Sequence, residues 1–229
     1  VWGQGVILGN AEEEFKIFLE KSGIPAAWTI LGLSAIPTDH PSNRGMVGMH
    51  GNYAPNLLTN ECDLLIAIGM RFDDRVTGDL SKYAKQAKII HLELDPAEVD
   101  KNVKVDVALL SDCKITLKEL NNRISAKTYP DWIARFEALD KIENDKVIHS
   151  DLFPTKEGLT MGESIEMINK YSNNDAIIVT DVGQHQMVAC RYAKFSQSKS
   201  NVTSGGLGTM GFALPAAIGA KMGAPDREV

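Results

Sequence analysis

Two arginines, Arg71 and Arg75, bracket a pair of carboxylates in the run Gly69-Met70-Arg71-Phe72-Asp73-Asp74-Arg75. A guanidinium grips a carboxylate or phosphate through parallel N–H donors, so this run could hold an anionic ligand. The plainer alternative is a local salt-bridge network, which contributes little on a loop. Two further segments point to phosphate: Asp181-Val182-Gly183-Gln184-His185, and Gly205-Gly206-Leu207-Gly208-Thr209-Met210-Gly211. Both follow strand-like stretches and precede helices. Glycine-rich backbone at helix N-termini offers N–H groups to a diphosphate. The competing explanation is close helix packing through Gly205, Gly206, Gly208 and Gly211.

Weaker signals lie upstream. Gly3-Gln4-Gly5 resembles the opening of a dinucleotide fingerprint, but Leu8 stands where the third glycine belongs. Glu12, Glu13 and Glu14 would also repel a pyrophosphate, and a plain strand-to-helix turn explains the glycines equally well. Gly48-Met49-His50-Gly51 suggests close backbone approach to a ligand. For His50 an ordered turn with an internal hydrogen bond is the preferred explanation.

These residues need elements to position them. Asn10 is the expected N-cap of a helix whose first turn holds three glutamates, favourable at the positive end of the helix dipole. Phe15, Phe18 and Leu19 form its apolar stripe, and Gly23 its C-cap. Strands are expected over 25–29, 64–68, 88–94 and 105–110. A short helix is expected over 56–61, and another over 112–124 with Ile115, Leu117 and Leu120 inward. The loop holding Gly48 is expected to begin near Pro37. Near-continuous apolar strands separated by helices imply a parallel sheet covered on both faces. Ligands then collect at the loops after the strands' carboxyl ends, here 31–34, 70–75, 95–99 and 111–112. Residues 126–158 read as a linker containing one amphipathic helix marked by Trp132, Ile133, Phe136 and Leu139. A second unit opens at Thr160, a capping-box N-cap with Glu163. It continues through a strand at 176–180, a helix to Lys194 and a small-residue helix at 214–222.

Composition narrows the class. Apolar residues make up 44% and charged residues 24%, ordinary for a globular chain. The net charge of −6 argues against nucleic acid. No apolar run approaches the roughly 20 residues that span a membrane. Cys62, Cys113 and Cys190 form no CxxC pair, which fits a reducing, cytoplasmic setting and three small buried thiols. Both chain ends read as cut: the first residues lie just before a glycine turn, and the last lead into a strand-like start.

Taken together, several runs resemble the large catalytic subunits of the acetolactate (acetohydroxyacid) synthases, a family of thiamin-diphosphate enzymes. They are Gly48-Met49-His50-Gly51, Arg71-Phe72-Asp73-Asp74-Arg75-Val76-Thr77-Gly78, Val182-Gly183-Gln184-His185-Gln186-Met187 and Thr203-Ser204-Gly205-Gly206-Leu207-Gly208-Thr209-Met210-Gly211, continued by Leu214-Pro215-Ala216-Ala217-Ile218-Gly219-Ala220. The resemblance covers essentially the whole chain. The Arg71 run is the most specific; the Gly205 run belongs to thiamin-diphosphate enzymes more widely.

The resemblance implies an α/β fold in two parts. Residues 1–125 would be a parallel-sheet, Rossmann-like central domain of the FAD-binding type, its first strand truncated. Residues 126–158 would be the linker, and 159–229 the opening part of a thiamin-diphosphate-binding α/β domain. Gly3, Gln4, Gly5, Thr29, Ile30, Leu31, Gly32, Gly48, Met49, His50, Gly51, Gly69, Met70, Arg71, Glu93 and Asp112 match positions lining a largely structural FAD. Met49 and Asp74 match positions near the substrate channel, and Arg75 one that holds the second substrate's carboxylate. Val182, Gly183, Gln184 and His185 match residues beside the diphosphate. Gly208 and Met210 match residues at the aminopyrimidine.

The implied reaction is decarboxylative condensation of pyruvate with pyruvate or 2-oxobutanoate, toward branched-chain amino acids. The implied assembly is a homodimer or larger, with a regulatory small subunit. No metal ligand is expected within the chain, because the family's Mg²⁺ ligands would follow Val229 and its activating glutamate would precede Val1. Residues 1–229 alone are therefore expected not to turn over substrate. A pyruvate oxidase or glyoxylate carboligase relative is the alternative, as is a non-catalytic nucleotide-binding module. The latter leaves two glycine loops and the Arg75 cluster unexplained.

Overall fold

The computed structural model describes residues 1–155 and 157–229; position 156, within the expected linker, lies outside the described residues. The chain forms two compact units, one of Val1–Leu33 with Pro41–Asp140 and one of Ser34–His40 with Lys141–Val229.

In the first unit the strands are β1 (Ala26–Trp28), β2 (Asn43–Met46), β3 (Leu64–Ile68), β4 (Lys88–Glu93) and β5 (Val107–Leu110). β1 pairs with β2, and β3, β4 and β5 pair in that order, all parallel. The backbone of Val1 and Trp2 joins the two groups. The Trp2 amide donates to the Ala27 carbonyl at 3.0 Å, and the Ile68 amide donates to the Val1 carbonyl at 2.9 Å. Trp2 thus bridges Trp28 on one side and Ile68 on the other, both in parallel. In space the order is β2, β1, Val1–Trp2, β3, β4, β5. The chain builds outward from Trp2 in one direction and then the other. In open parallel sheets a ligand crevice opens at such a reversal, beyond the strands' carboxyl ends.

Helices cover this sheet: α1 (Gln4–Leu8), α2 (Glu12–Ser22), α3 (Tyr53–Thr59), the turn α4 (Asp74–Thr77), α5 (Cys113–Arg123) and α6 (Pro130–Glu143). Their inward residues follow from helical spacing: Phe15, Phe18 and Leu19 of α2 are buried. The Trp2 ring stands 5.1 Å from Phe15 and 5.9 Å from Trp28 between centroids. Burying each such ring contributes about 1.5–3 kcal/mol. Phe136 of α6 is buried against Ala54 and Leu58 of α3. A cavity of about 510 Å³ is walled by Ala26, Leu64, Phe15 and Trp132 among others.

Some local expectations shift. The N-cap of α2 is Ala11, not Asn10; Asn10 instead takes the left-handed conformation (φ 48°) that asparagine tolerates. α3 begins at Tyr53 behind Asn52 and runs to Thr59, ahead of the expected 56–61. Pro55 sits in its first turn, where a missing N–H costs nothing. A four-residue strand, β2, interrupts the expected long loop; its sequence, Asn43-Arg44-Gly45-Met46, has no apolar alternation to announce it. Ile115 of α5 is 63% exposed; Leu117 is buried as expected, and Cys113 and Thr116 join it on the inward face.

The second unit holds the parallel pair β6 (Ile178–Thr180) and β7 (Asn201–Thr203), with α7 (His149–Leu152), α8 (Met161–Tyr171), α9 (Gln184–Tyr192) and α10 (Ala213–Gly223). Thr160 caps α8 by accepting the Glu163 amide at 3.0 Å. The segment Ser34–His40 belongs here through two exchanges. The Thr38 amide donates to the Phe195 carbonyl and the Phe195 amide donates to Thr38 Oγ1, and Ser34 Oγ accepts the amides of Ser200 and Asn201, each at 3.1 Å. The Arg191 guanidinium pairs with Glu143, and the Tyr192 hydroxyl donates to Asp151 at 2.5 Å. Among the described residues no helix is long and apolar enough to cross a membrane.

Candidate functional site

The first cluster forms at the carboxyl edge of the larger sheet, around Trp2. Gly3, Gln4 and Gly5 leave the Val1–Trp2 segment and start α1. The Gly3 amide donates to Ile68 and the Gly5 amide to Gly69, at 3.0 and 2.9 Å. A Cβ on Gly5 would stand 2.6 Å from the Gly69 Cα, and one on Gly3 2.6 Å from the Gly69 oxygen. The two loops can therefore meet only because these positions lack side chains. The fingerprint-like glycines are used to let backbone approach backbone.

Thr29, Ile30 and Leu31 close over the same point. The Thr29 amide donates to Trp2, and the indole Nε1 of Trp2 donates to Gly32 at 2.8 Å. Gly69, Met70 and Arg71 complete the rim. The Met70 carbonyl accepts His91 Nε2 at 2.8 Å, and His91 is fully buried with its Nδ1 lacking a partner. His91 was not among the sequence candidates, although a histidine inside the apolar strand 88–94 was the available signal. Glu93 folds its carboxylate over the next turn, accepting the amides of Leu94 and Asp95 at 2.8 and 3.1 Å. Asp112 caps α5 through the Lys114 amide. Its Oδ2 lies 3.1 Å from where a Gly9 Cβ would be, which brings it beside the end of α1.

Gly48, Met49, His50 and Gly51 join a second group. The Met49 amide donates to the Arg75 carbonyl at 2.8 Å. Asn56 clamps Gly48 in both directions, accepting its amide at 2.8 Å and donating to its carbonyl at 2.9 Å. Met49 and His50 are exposed. Asp73 is the N-cap of α4, accepting the amides of Arg75 and Val76. Asp74 pairs with Arg75 at 3.2 Å, and Arg71 with Asp73 at 3.7 Å. These ion pairs are well exposed and hold their arginines weakly, leaving the guanidinium of Arg75, 73% exposed, available to an anion.

The third group lies in the second unit. Val182, Gly183, Gln184 and His185 connect β6 to α9, whose N-cap, Gly183, carries no side-chain cap. No capping side chain bonds the amides at that N-terminus, and Gln184 and His185 are exposed. Gly208 is in the left-handed region (φ 66°), and its missing Cβ would meet only Val182, at 3.8 Å. Met210 is 81% exposed. The two glycine loops read from the sequence thus sit side by side. Their amino-terminal helix ends differ, however. That of α10 is occupied by Asp181, which accepts the Gly211 amide at 3.1 Å and the Ala213 amide at 2.5 Å. Those bonds, the Ala213 one first, hold the Asp181 carboxyl below the usual carboxylate range. The thiols of Cys113 and Cys190 are pushed up to about 12 by burial, so neither is a nucleophile at neutral pH.

Comparison with known proteins bears on both units. The central domain of thiamine pyrophosphate enzymes matches residues 1–120, and the C-terminal thiamine-pyrophosphate-binding domain matches residues 181–229. The acetolactate synthase large subunit of Lactococcus lactis subsp. lactis is 41% identical over 228 residues, 99% of this chain and 39% of its own length. A probable acetolactate synthase large subunit of Methanocaldococcus jannaschii is 43% identical over 232 residues, again 99% of this chain and 39% of its own length. Acetolactate synthase 1, chloroplastic, of Nicotiana tabacum is 41% identical over 96% of this chain and 33% of its own length. The chain spans about two fifths of the length of the first two relatives. With its central-domain match covering more than half of its residues, this chain belongs to the thiamine pyrophosphate enzyme family.

Proposed function

We propose that this chain works within an acetolactate synthase large subunit, condensing pyruvate with a second 2-ketoacid, pyruvate or 2-oxobutanoate, with loss of carbon dioxide. The observation that carries this reading is the pairing of residues 182–185 with residues 205–211. One helix N-terminus there is free of a side-chain cap, and open space surrounds the glycines beside it. An anionic diphosphate suits uncapped amides at a helix start. Thiamin diphosphate, when bound, supplies the carbon nucleophile and electron sink that decarboxylation of a 2-ketoacid needs.

The chain's own residues then have distinct tasks. Gly183, Gln184 and His185, with Val182, hold the diphosphate. Gly208 gives the ring close access to the backbone, and Met210 supports it. Arg75 binds the carboxylate of the second ketoacid, where its parallel N–H donors favour a planar anion. Met49 and Asp74 border that substrate's approach.

The carboxyl edge around Trp2 is assigned to FAD of a structural kind. The crevice at the strand reversal, the exposed Gln4 and Arg71, and the acidic Glu93 and Asp112 favour a nucleotide with ribose hydroxyls and a diphosphate. Residues 1–125 are the FAD-binding part, 126–158 the linker and 159–229 the start of the thiamin-diphosphate part. Mg²⁺, a homodimer or larger and a regulatory small subunit belong to the same proposal.

The test is product formation by the protein that contains this chain together with the further segments its relatives carry. Acetolactate from pyruvate, with a rise in apparent KM for the second ketoacid in Arg75→Ala, is the expected result. Binding of thiamin diphosphate without any acetolactate would overturn the assignment.

A further inference from the structure

We propose that Asp181 is a positioning residue that fixes Met210 by capping α10 from a neighbouring strand. This rests on the proposed role of Met210 beside thiamin diphosphate.

α10 has no cap of its own. Its N-cap residue, Phe212, offers no side-chain acceptor, and its first turn contains no acidic residue. A helix start with unsatisfied amides and an uncompensated dipole costs stability. Asp181, at the end of β6, fills that need from 30 residues upstream of Gly211. One carboxylate oxygen accepts the Gly211 amide and the other accepts the Ala213 amide. The amide after Met210 is thereby fixed. On the other side, the Thr209 amide donates to Ser204 Oγ at 2.8 Å, and the Gly208 amide to the Ser204 carbonyl at 3.2 Å. Met210 therefore sits between two anchored amides, Thr209 on Ser204 and Gly211 on Asp181. Gly208 and Gly211, at φ 66° and 80°, supply the backbone turns that make both anchors reachable.

A second consequence concerns charge. The carboxylate already compensates the positive end of α10, so an incoming phosphate gains little there and would meet a like charge. The start of α9, with no side-chain cap and no acidic residue in its first turn, is left as the anion-binding end. Asp181 thus sorts the two glycine loops into one that holds the diphosphate and one that presents Met210. Thr203 supports the arrangement from below, accepting both Thr180 Oγ1 at 2.8 Å and Gln186 Nε2 at 2.7 Å.

The experiment has two parts. In the 229-residue chain, amide exchange at Gly211 and Ala213 is compared among the unsubstituted protein, Asp181→Ala, Asp181→Asn and Ser204→Ala. Asp181→Ala is expected to speed exchange at both amides about five- to tenfold, the change that follows from losing an N-cap. Asp181→Asn, which keeps an acceptor oxygen, restores part of the protection. Ser204→Ala loosens Thr209 and spares Ala213. Unchanged exchange in Asp181→Ala overturns the proposal.

In the protein with the further segments, Asp181→Ala is expected to lower kcat while the affinity for thiamin diphosphate changes less than about threefold. Equal losses in both would mean general destabilisation and would overturn the positioning role. If the unsubstituted protein binds no thiamin diphosphate while Asp181→Ala still loosens Gly211 and Ala213, the functional reading falls and the anchor stands.

Discussion

The backbone amide of Met49 donates to the carbonyl of Arg75 at 2.8 Å, tying the Gly48–Gly51 turn to the arginine-bearing turn α4. Two loops separated in sequence are thus one structural piece, on which Met49 and Arg75 are both exposed.

Substituting Gly48 should break this piece. Its φ of 103° lies outside the range of other residues, and a Cβ there would stand 2.6 Å from the Arg75 oxygen. Gly48→Ala is expected to cost about 1–3 kcal/mol in urea denaturation. Under the proposed function it should also raise the apparent KM for a second ketoacid, because Arg75 shifts. Unchanged stability would mean that the loop relaxes without strain.

The meeting of Gly5 with Gly69 gives a parallel prediction. A Cβ on Gly5 would lie 2.6 Å from the Gly69 Cα, and its nearest neighbours are all Gly69 backbone, with no flexible side chain to yield. Gly5→Ala is expected to destabilise the first unit by about 1–3 kcal/mol, the usual cost of overpacking. Gly78→Ala has no such clash, and so isolates the cost of left-handed backbone alone.

How far the sequence foretold these features depended on how local their causes were. β3 was legible because five apolar residues in a row need only themselves to announce a buried parallel strand. β2 was not, because Asn43-Arg44-Gly45-Met46 becomes a strand only through its pairing with β1. The glycine loops were visible as composition, but the division between them was not. Asp181 caps a helix that starts far along the chain, and no rule of local spacing reveals that. Likewise, the glycine spacing at Gly3 and Gly5 could not show their close approach to Gly69, which depends on the tertiary meeting of two loops.

His91 is expected to matter more than its position in a strand suggests. It is fully buried, and its Nε2 is the donor to Met70 at 2.8 Å. His91→Leu leaves that carbonyl without its partner and is expected to cost about 1–3 kcal/mol. Denaturation measures the loss, and exchange at residues 69–71 locates it. A neutral result would mean that water or a shifted backbone replaces the bond.

The three thiols should differ in reactivity. Burial pushes Cys113 and Cys190 up to about 12, while Cys62 is only half-buried and raised less. Alkylation of the folded chain near pH 8, followed by mass spectrometry, should label Cys62 first. Early labelling of Cys190 would contradict its burial on the inward face of α9.

Acid should loosen the loop bearing Met210. Asp181 has a folded-state pKa held below its ordinary value by the amides of Ala213, Gly211 and Phe212, with the nearby His185 side chain acting the same way. Its contribution is present above the ordinary aspartate range and is lost as pH falls through the lower, folded-state value. Protection at Ala213 should fall across that acid window and lose its pH dependence in Asp181→Asn. A window lying above the ordinary aspartate range would contradict the bond pattern.

The central claim is most directly tested by titrating FAD into the 229-residue chain and following the quenching of flavin fluorescence. Saturable binding in the micromolar range, weakened by Arg71→Ala, is the predicted result and would mark the carboxyl edge around Trp2 as the flavin site of an acetolactate-synthase-type central domain. No binding by the folded chain, or binding untouched by Arg71→Ala, would contradict it.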